Sequence, residues 1–185
     1  MKIEPTSLAG VMLLTPRVFG DERGAFWETW NHRVWQQAGL ADEWVQDNSS
    51  RSHRNVIRGL HYQLIQPQAK LVRVAHGRIL DVAVDLRRGS PGFGRHVAVE
   101  LSAENARMIY IPAGFAHGFA VLGEEATLVY KVNDYYCPEG ERTLLWNDAA
   151  LAIDWQVEAA EAIVSAKDRA GKPLATAEVF EGWGA

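Results

Sequence analysis

The sequence predicts a mainly β fold: two antiparallel sheets packed as a jelly-roll sandwich or barrel, with a few short helices at the periphery. Three observations carry this. From residue 69 to residue 132 apolar residues recur with period two, as in Leu80, Val82, Val84 and Leu86 against Asp81, Ala83 and Asp85, or Val97, Val99 and Leu101 against Ala98 and Glu100. Turn residues interrupt the pattern at short intervals, at His76-Gly77, Gly89-Ser90-Pro91-Gly92, Ser102-Ala103-Glu104-Asn105 and Gly123-Glu124-Glu125. Short strands punctuated in this way mark a sandwich or barrel, and packing two sheets limits the exposed edge at this length.

The elements follow in chain order. The first half carries one clear helix signal, Asn31 to Ala38, with Asn31 as N-cap, Val34, Trp35 and Ala38 on one face, and Gly39 as the stop. Strand-like runs then cover Leu80–Leu86, Val97–Leu101, Met108–Ile111, Phe119–Leu122 and Ala126–Val132. A second short helix is expected at Pro173 to Phe180, where proline suits a first turn. No repeat or low-complexity linker divides the 185 residues, so one domain is expected. Its jelly-roll core would span about 45–150, with an N-terminal strand and helix arm at 1–44 and a C-terminal segment at 151–185.

Composition narrows the function. Hydrophobic residues make up 48% and charged residues 23%, as expected of an ordinary globular protein. A formal net charge of −4 without a basic block argues against nucleic acid as partner. The start has no signal-peptide core and no apolar run is long enough to span a bilayer, which points to a cytoplasmic protein with no membrane partner. The single Cys137 excludes an internal disulfide, fits a reducing compartment, and has nothing beside it to mark a nucleophile.

Four clusters hold residue types that do chemistry. In Arg58-Gly59-Leu60-His61-Tyr62-Gln63, followed by Ala69-Lys70-Leu71-Val72-Arg73-Val74, an imidazole able to take a proton near neutral pH lies close to cations able to hold negative charge. Pro112-Ala113-Gly114-Phe115-Ala116-His117 is the Pro-x-Gly-x-x-His turn of cupin jelly rolls, whose histidine points into the barrel. The metal-binding cupins add two histidines one residue apart and a glutamate. Here His61-Tyr62-Gln63 stands in that place, so a metal would lack a third ligand and none is expected. Leu128-Val129-Tyr130-Lys131 sets Tyr130 and Val132 on one strand face and Lys131 on the other. Ser165-Ala166-Lys167-Asp168 offers a carboxylate that can orient an imidazole. His32, His53, His76 and His96 read as structural, and Tyr135 and Tyr136 as rim residues able to stack on a base.

In order, these motifs resemble those of the dTDP-4-dehydrorhamnose 3,5-epimerases. The matching pieces are Asp21-Glu22-Arg23-Gly24-Ala25-Phe26-Trp27-Glu28, Gln46-Asp47-Asn48, Ile57 to Gln63, Ala69 to Val74, Asp81 to Arg87, Leu101 to Asn105, Pro112 to Phe119, Tyr130-Lys131, Tyr135-Tyr136 and Ser165 to Asp168. Asn55 and Ile57 depart from the glycine and leucine more usual before Arg-Gly-Leu-His. The resemblance implies a metal-free and cofactor-free homodimer acting on a dTDP-linked 4-keto-6-deoxyhexose in deoxysugar biosynthesis. The C4 ketone acidifies the protons on C3 and C5, so removal to an enolate and return to the opposite face inverts each centre. It implies His61 as base held by Asp168, Tyr130 as proton donor, and Lys70 at the enolate oxygen. Arg23, Glu28, Gln46, Asn48, Arg58, His117, Tyr136, Glu141 and Lys167 would line the nucleotide-sugar site. A mono-epimerase, a ketoisomerase, a metal-dependent cupin oxygenase and a non-catalytic sugar-binding cupin remain as alternatives.

Overall fold

A computed structural model of the chain describes residues 1–40 and 43–182. It opens with β1 (Lys2–Pro5), β2 (Met12–Thr15), a small hairpin of β3 (Phe19–Asp21) and β4 (Gly24–Phe26), and helix α1 (His32–Gln37). The long strands β5 (Gln46–His53), β6 (Val56–Gln63), β7 (Lys70–His76) and β8 (Arg78–Asp85) follow, then β9 (His96–Ser102), β10 (Met108–Ile111), β11 (Phe115–Val121) and β12 (Glu125–Val132). A 3₁₀ turn at Pro138–Gly140, β13 (Glu141–Thr143), β14 (Ile163–Val164) and helix α2 (Ala166–Arg169) complete it.

Two sheets face each other as a sandwich. One runs β1-β2-β10-β7-β12-β5 and the other β13-β6-β11-β8-β9, with β14 added in parallel to β6. Between them the inward residues of both sheets interlock, among them Val72, Ile79, Val97, Ile109, Phe119 and Leu128. The predicted period-two strands are therefore present. The strand expected at Phe119–Leu122 starts earlier, at Phe115, which places His117 inside a strand rather than in a turn.

Both outer faces are covered as well. Leu80, Val82, Val84 and Leu86 point away from the sandwich interior, into a cluster closed by Trp146, Trp155 and Phe180 of the C-terminal segment. Their alternating partners Asp81 and Asp85 consequently lie inside, both with no exposed surface. On the other sheet, Leu14, Leu71, Met108 and Tyr110 are covered by Trp35 and Leu40. A six-residue helix is too short to stand alone, so α1 depends on this docking, which for Trp35 contributes roughly 2–3 kcal/mol. Asn31 caps α1 by accepting from the Arg33 N–H, and Gly39 ends it with φ +74°. Ala38, expected on the apolar face, is exposed; Leu40 fills that place.

One expectation needs correction. No helix forms at Pro173–Phe180: a single turn at 173–177 gives way to extended chain, where the Phe180 N–H donates to Leu86 O and its carbonyl accepts from the Arg88 N–H. Pairing with the end of β8 outweighs the local helix preference. Met12–Thr15 pairs with β10 of its own chain, and the strands of the β3–β4 hairpin pair only with each other among the described residues. Among the described residues no helix is long and apolar enough to cross a membrane.

Candidate active site

A polar pocket of about 270 Å³ opens at one end of the sandwich, with walls from both sheets. Gln46 and Asn48 of β5, Lys70 of β7 and Tyr130 of β12 come from one sheet; His61 and Gln63 of β6 and Phe115 of β11 come from the other. Tyr136 and Glu141 stand at its rim, and the buried Phe180 also lines it.

His61 owes its position to an irregularity in β6. His117 lies opposite His61 and Phe119 opposite Arg58, so two steps along β11 match three along β6. The extra residue inverts the face parity of the strand. Ile57, Leu60 and Tyr62 thus all reach the outer cluster, whereas His61 and Gln63 face the pocket and Arg58 donates to Ser52 Oγ on β5 at 2.9 Å. Gly59 makes this possible with φ +112°; a Cβ there would lie 2.6 Å from Gly118 Cα and 2.7 Å from His117 O.

Asp168 reaches His61 from α2. Ser165 caps that helix by accepting from the Asp168 N–H, which fixes the residue in the first turn. Asp168 Oδ1 lies 2.5 Å from His61 Nε2, and Oδ2 accepts from the Gly59 N–H at 3.4 Å. Burial alone would raise the Asp168 carboxyl, but the hydrogen bond and charge of His61 and the Gly59 and Ser165 bonds outweigh it and hold it below its ordinary range. An ionised Asp168 can only accept a hydrogen bond from Nε2–H, so a singly protonated His61 ring carries its proton there and its lone pair on the other nitrogen.

The facing wall differs in charge. Burial raises the Tyr130 hydroxyl above its usual range, which keeps it protonated at neutral pH. Burial pushes the Lys70 ammonium down to about 8, against the opposing pull of Asp81 and Glu141. Behind the pocket His117 donates through Nε2 to Asp81 Oδ2 at 2.9 Å, and burial lowers its imidazole despite that carboxylate. At the rim the Tyr136 hydroxyl donates to Glu141 at 2.7 Å, and Lys167 pairs with the same carboxylate at 2.6 Å. Burial would raise Glu141, but these two donors hold it low.

Of the predicted site residues, His61, Lys70, Tyr130, Asp168, Gln46, Asn48, Tyr136, Glu141, Lys167, His117 and Arg58 gather at or against this pocket. Arg23 and Glu28 do not. Arg23 sits on the β3–β4 hairpin, 85% exposed and paired with Asp21, and Glu28 accepts from Asn31 Nδ2. Sequence reasoning passed over Asp81 and Gln63. Gln63 ties two rim loops together, donating to Gln66 O at 2.8 Å and accepting from the Cys137 N–H at 3.0 Å. Its signal was its place two residues beyond His61 on the same strand face. Among the described residues no three His, Cys, Asp or Glu side chains are arranged to hold a metal ion; both pocket histidines are already paired with aspartates.

Comparison with known proteins identifies the family. The family model for dTDP-4-dehydrorhamnose 3,5-epimerase matches residues 5–176. The dTDP-4-dehydrorhamnose 3,5-epimerase of Pseudomonas aeruginosa is 54% identical over 181 residues, covering 97% of this chain and 99% of that one. The Shigella flexneri protein of the same description is 48% identical over 183 residues, covering 97% and 99%. Among solved structures, dTDP-6-deoxy-D-glucose-3,5-epimerase from Legionella pneumophila, in complex with dTDP-4-keto-L-rhamnose, superposes with a TM-score of 0.94 at 44% identity, covering 97% of each chain.

Proposed function

The chain belongs to the dTDP-4-dehydrorhamnose 3,5-epimerase family and is an epimerase of that activity, and from that premise we propose that His61, Asp168, Tyr130 and Lys70 carry the two inversions. The observation that carries the proposal is the placement of base and acid on opposite walls. His61 belongs to one sheet and Tyr130 to the other, with the pocket between them. An inversion needs this: a proton must leave one face of the sugar ring and another must arrive on the opposite face.

The steps balance as follows. The free ring nitrogen of His61 takes the proton from C3 or C5, and the C–H electron pair becomes an enolate with its charge on the C4 oxygen. Asp168 accepts the hydrogen bond of the resulting imidazolium and stabilises its charge. The Lys70 ammonium holds the enolate oxygen, an effect of roughly 3–4 kcal/mol for a well-placed donor. Tyr130 then gives its proton to the opposite face of the same carbon, leaving a phenolate. Proton exchange with solvent restores His61 and Tyr130 before the second centre reacts. No step needs a metal or a nicotinamide.

The dTDP-sugar would sit with its hexose between His61 and Tyr130 and its nucleotide towards the rim of Gln46, Asn48, Tyr136, Glu141 and Lys167. Arg58 and Lys167 are suited to the diphosphate, because no glycine-rich phosphate loop is present. The exposed hairpin that carries Arg23 and Phe26 fits a homodimer in which it completes the site of a second copy. Phe19 and Phe26 on it are 51% and 70% exposed. NMR of the product formed by chelator-treated protein tests the reaction. A product inverted at both C3 and C5 without added metal is expected. Inversion at one centre only, or turnover restored only by a metal, would contradict it.

A further inference from the structure

We propose that Asp81 is the buried counter-ion of the sugar pocket, a positioning residue that keeps Lys70 protonated and thereby sets the alkaline limit of catalysis. The inference rests on the role given to Lys70 above. Asp81 has no exposed surface and lies inside the sandwich behind His117, whose partner across the β11–β6 pairing, His61, lines the pocket. Its Oδ2 accepts from His117, and its Oδ1 has no hydrogen-bond partner among the described residues. A carboxylate so enclosed requires a compensating cation.

The neighbouring groups leave one candidate. Lys70 is faced by Asp81 from β8, His117 from β11, His61 from β6, Tyr130 from β12 and Glu141 from β13. Glu141 is already neutralised by Lys167 and bonded by Tyr136. His117 supplies Asp81 with an N–H but, with its imidazole lowered by burial, no charge. Lys70 lines the pocket, and the Asp81 charge favours its ammonium form against burial. Without that anion, burial would shift Lys70 further towards the neutral amine, which holds the enolate oxygen less well.

The sign follows directly. An anion nearby favours the charged ammonium, so removing it lowers the pH at which Lys70 loses its proton, by about one unit or more. Protein carrying lysine labelled with ¹³C at Cε, titrated by NMR from pH 6 to 10, reads this without reference to activity; Lys70→Arg identifies the signal. In Asp81→Asn the Lys70 midpoint should fall, and the alkaline limb of kcat/KM should fall with it, so that the variant keeps a larger share of wild-type rate at pH 6 than at pH 8. An unchanged Lys70 midpoint would overturn the proposal. A lowered midpoint with an unmoved alkaline limb would uphold the Asp81–Lys70 coupling and instead remove Lys70 from the catalytic role. Should Asp81→Asn not fold, Asp81→Ser removes the same charge without adding volume and is read in the same way.

Discussion

Replacing Asp168 by asparagine isolates what the carboxylate does for His61. The side chain is 4% exposed, so water does not take the place of the lost charge. The backbone cap from Ser165 uses the Asp168 N–H and survives the substitution, which leaves α2 and the fold intact. An amide in this position can turn its Nδ2 towards His61 Nε2, a donor where an acceptor stood. The imidazole proton then moves to the other nitrogen and the lone pair is lost from the pocket side. The imidazolium formed during reaction also loses its counter-charge. General-base catalysis is worth roughly 10²–10⁴-fold, so kcat should fall by about that factor, equivalent to about 2.7–5.4 kcal/mol in the barrier. The assay follows deuterium entry at C3 and C5 by NMR in deuterated water alongside inversion, with KM measured separately. Both rates should fall together while KM changes little. A kcat within about threefold of wild type would refute the role of the pair, because a mere packing residue allows that result and a charged orienting partner does not.

Gly59→Ala should cost about 2–5 kcal/mol, since the added Cβ meets backbone atoms at 2.6 and 2.7 Å at a φ of +112°; a denaturant midpoint like wild type would show that β6 does not need its irregularity. Asp85 is buried and accepts from Arg87 and Ser90, and although burial would raise its carboxyl, these bonds hold it below its ordinary value. Its contribution is therefore complete above the unfolded value of about 4 and fades as pH falls through the depressed folded value. Asp85→Asn should lose about 2–3 kcal/mol at pH 7 and progressively less in acid, and an equal loss in urea melts at pH 7 and pH 3 would contradict that linkage. Light scattering at micromolar protein should read twice the chain mass, with Arg23→Ala raising KM more than it lowers kcat; a fully active monomer would refute the shared site.

The fold was legible where period-two alternation was strong, from β7 to β12. It was less legible at β5, whose inner face carries Gln46, Asn48, Ser50 and Ser52 and so shows no apolar alternation. Alternation also does not say which set faces inward. In β8 the apolar set faces a layer built by the C-terminal segment, and the aspartates lie buried on the inward side. That inversion depends on residues about 60–100 positions away, Trp146 to Phe180, and it hid Asp81 from a reading along the strand. His61 and Lys70 stood out because their side chains suit the chemistry. The alignment of Arg58 with His61 on one face needed the three-for-two register at Gly59, which spacing alone contradicts. Asn55, the departure before the Arg-Gly-Leu-His core, has φ +61°, a conformation glycine accepts freely and asparagine tolerates. Pro173 misled because a proline that suits a first helical turn suits an isolated turn equally well.

Separating the base from the acid is the most direct test of the two-walled site. His61→Ala and Tyr130→Phe are each incubated with the 4-keto sugar nucleotide in deuterated water, and both deuterium entry and configuration are followed at C3 and C5. His61 acts before any enolate exists, so His61→Ala should show neither exchange nor inversion. Tyr130 acts after deprotonation, so Tyr130→Phe should still wash deuterium into the ring while inversion is lost. Exchange and inversion abolished equally in Tyr130→Phe, or near-normal turnover in His61→Ala, would contradict the assignment of one wall to proton removal and the other to proton return.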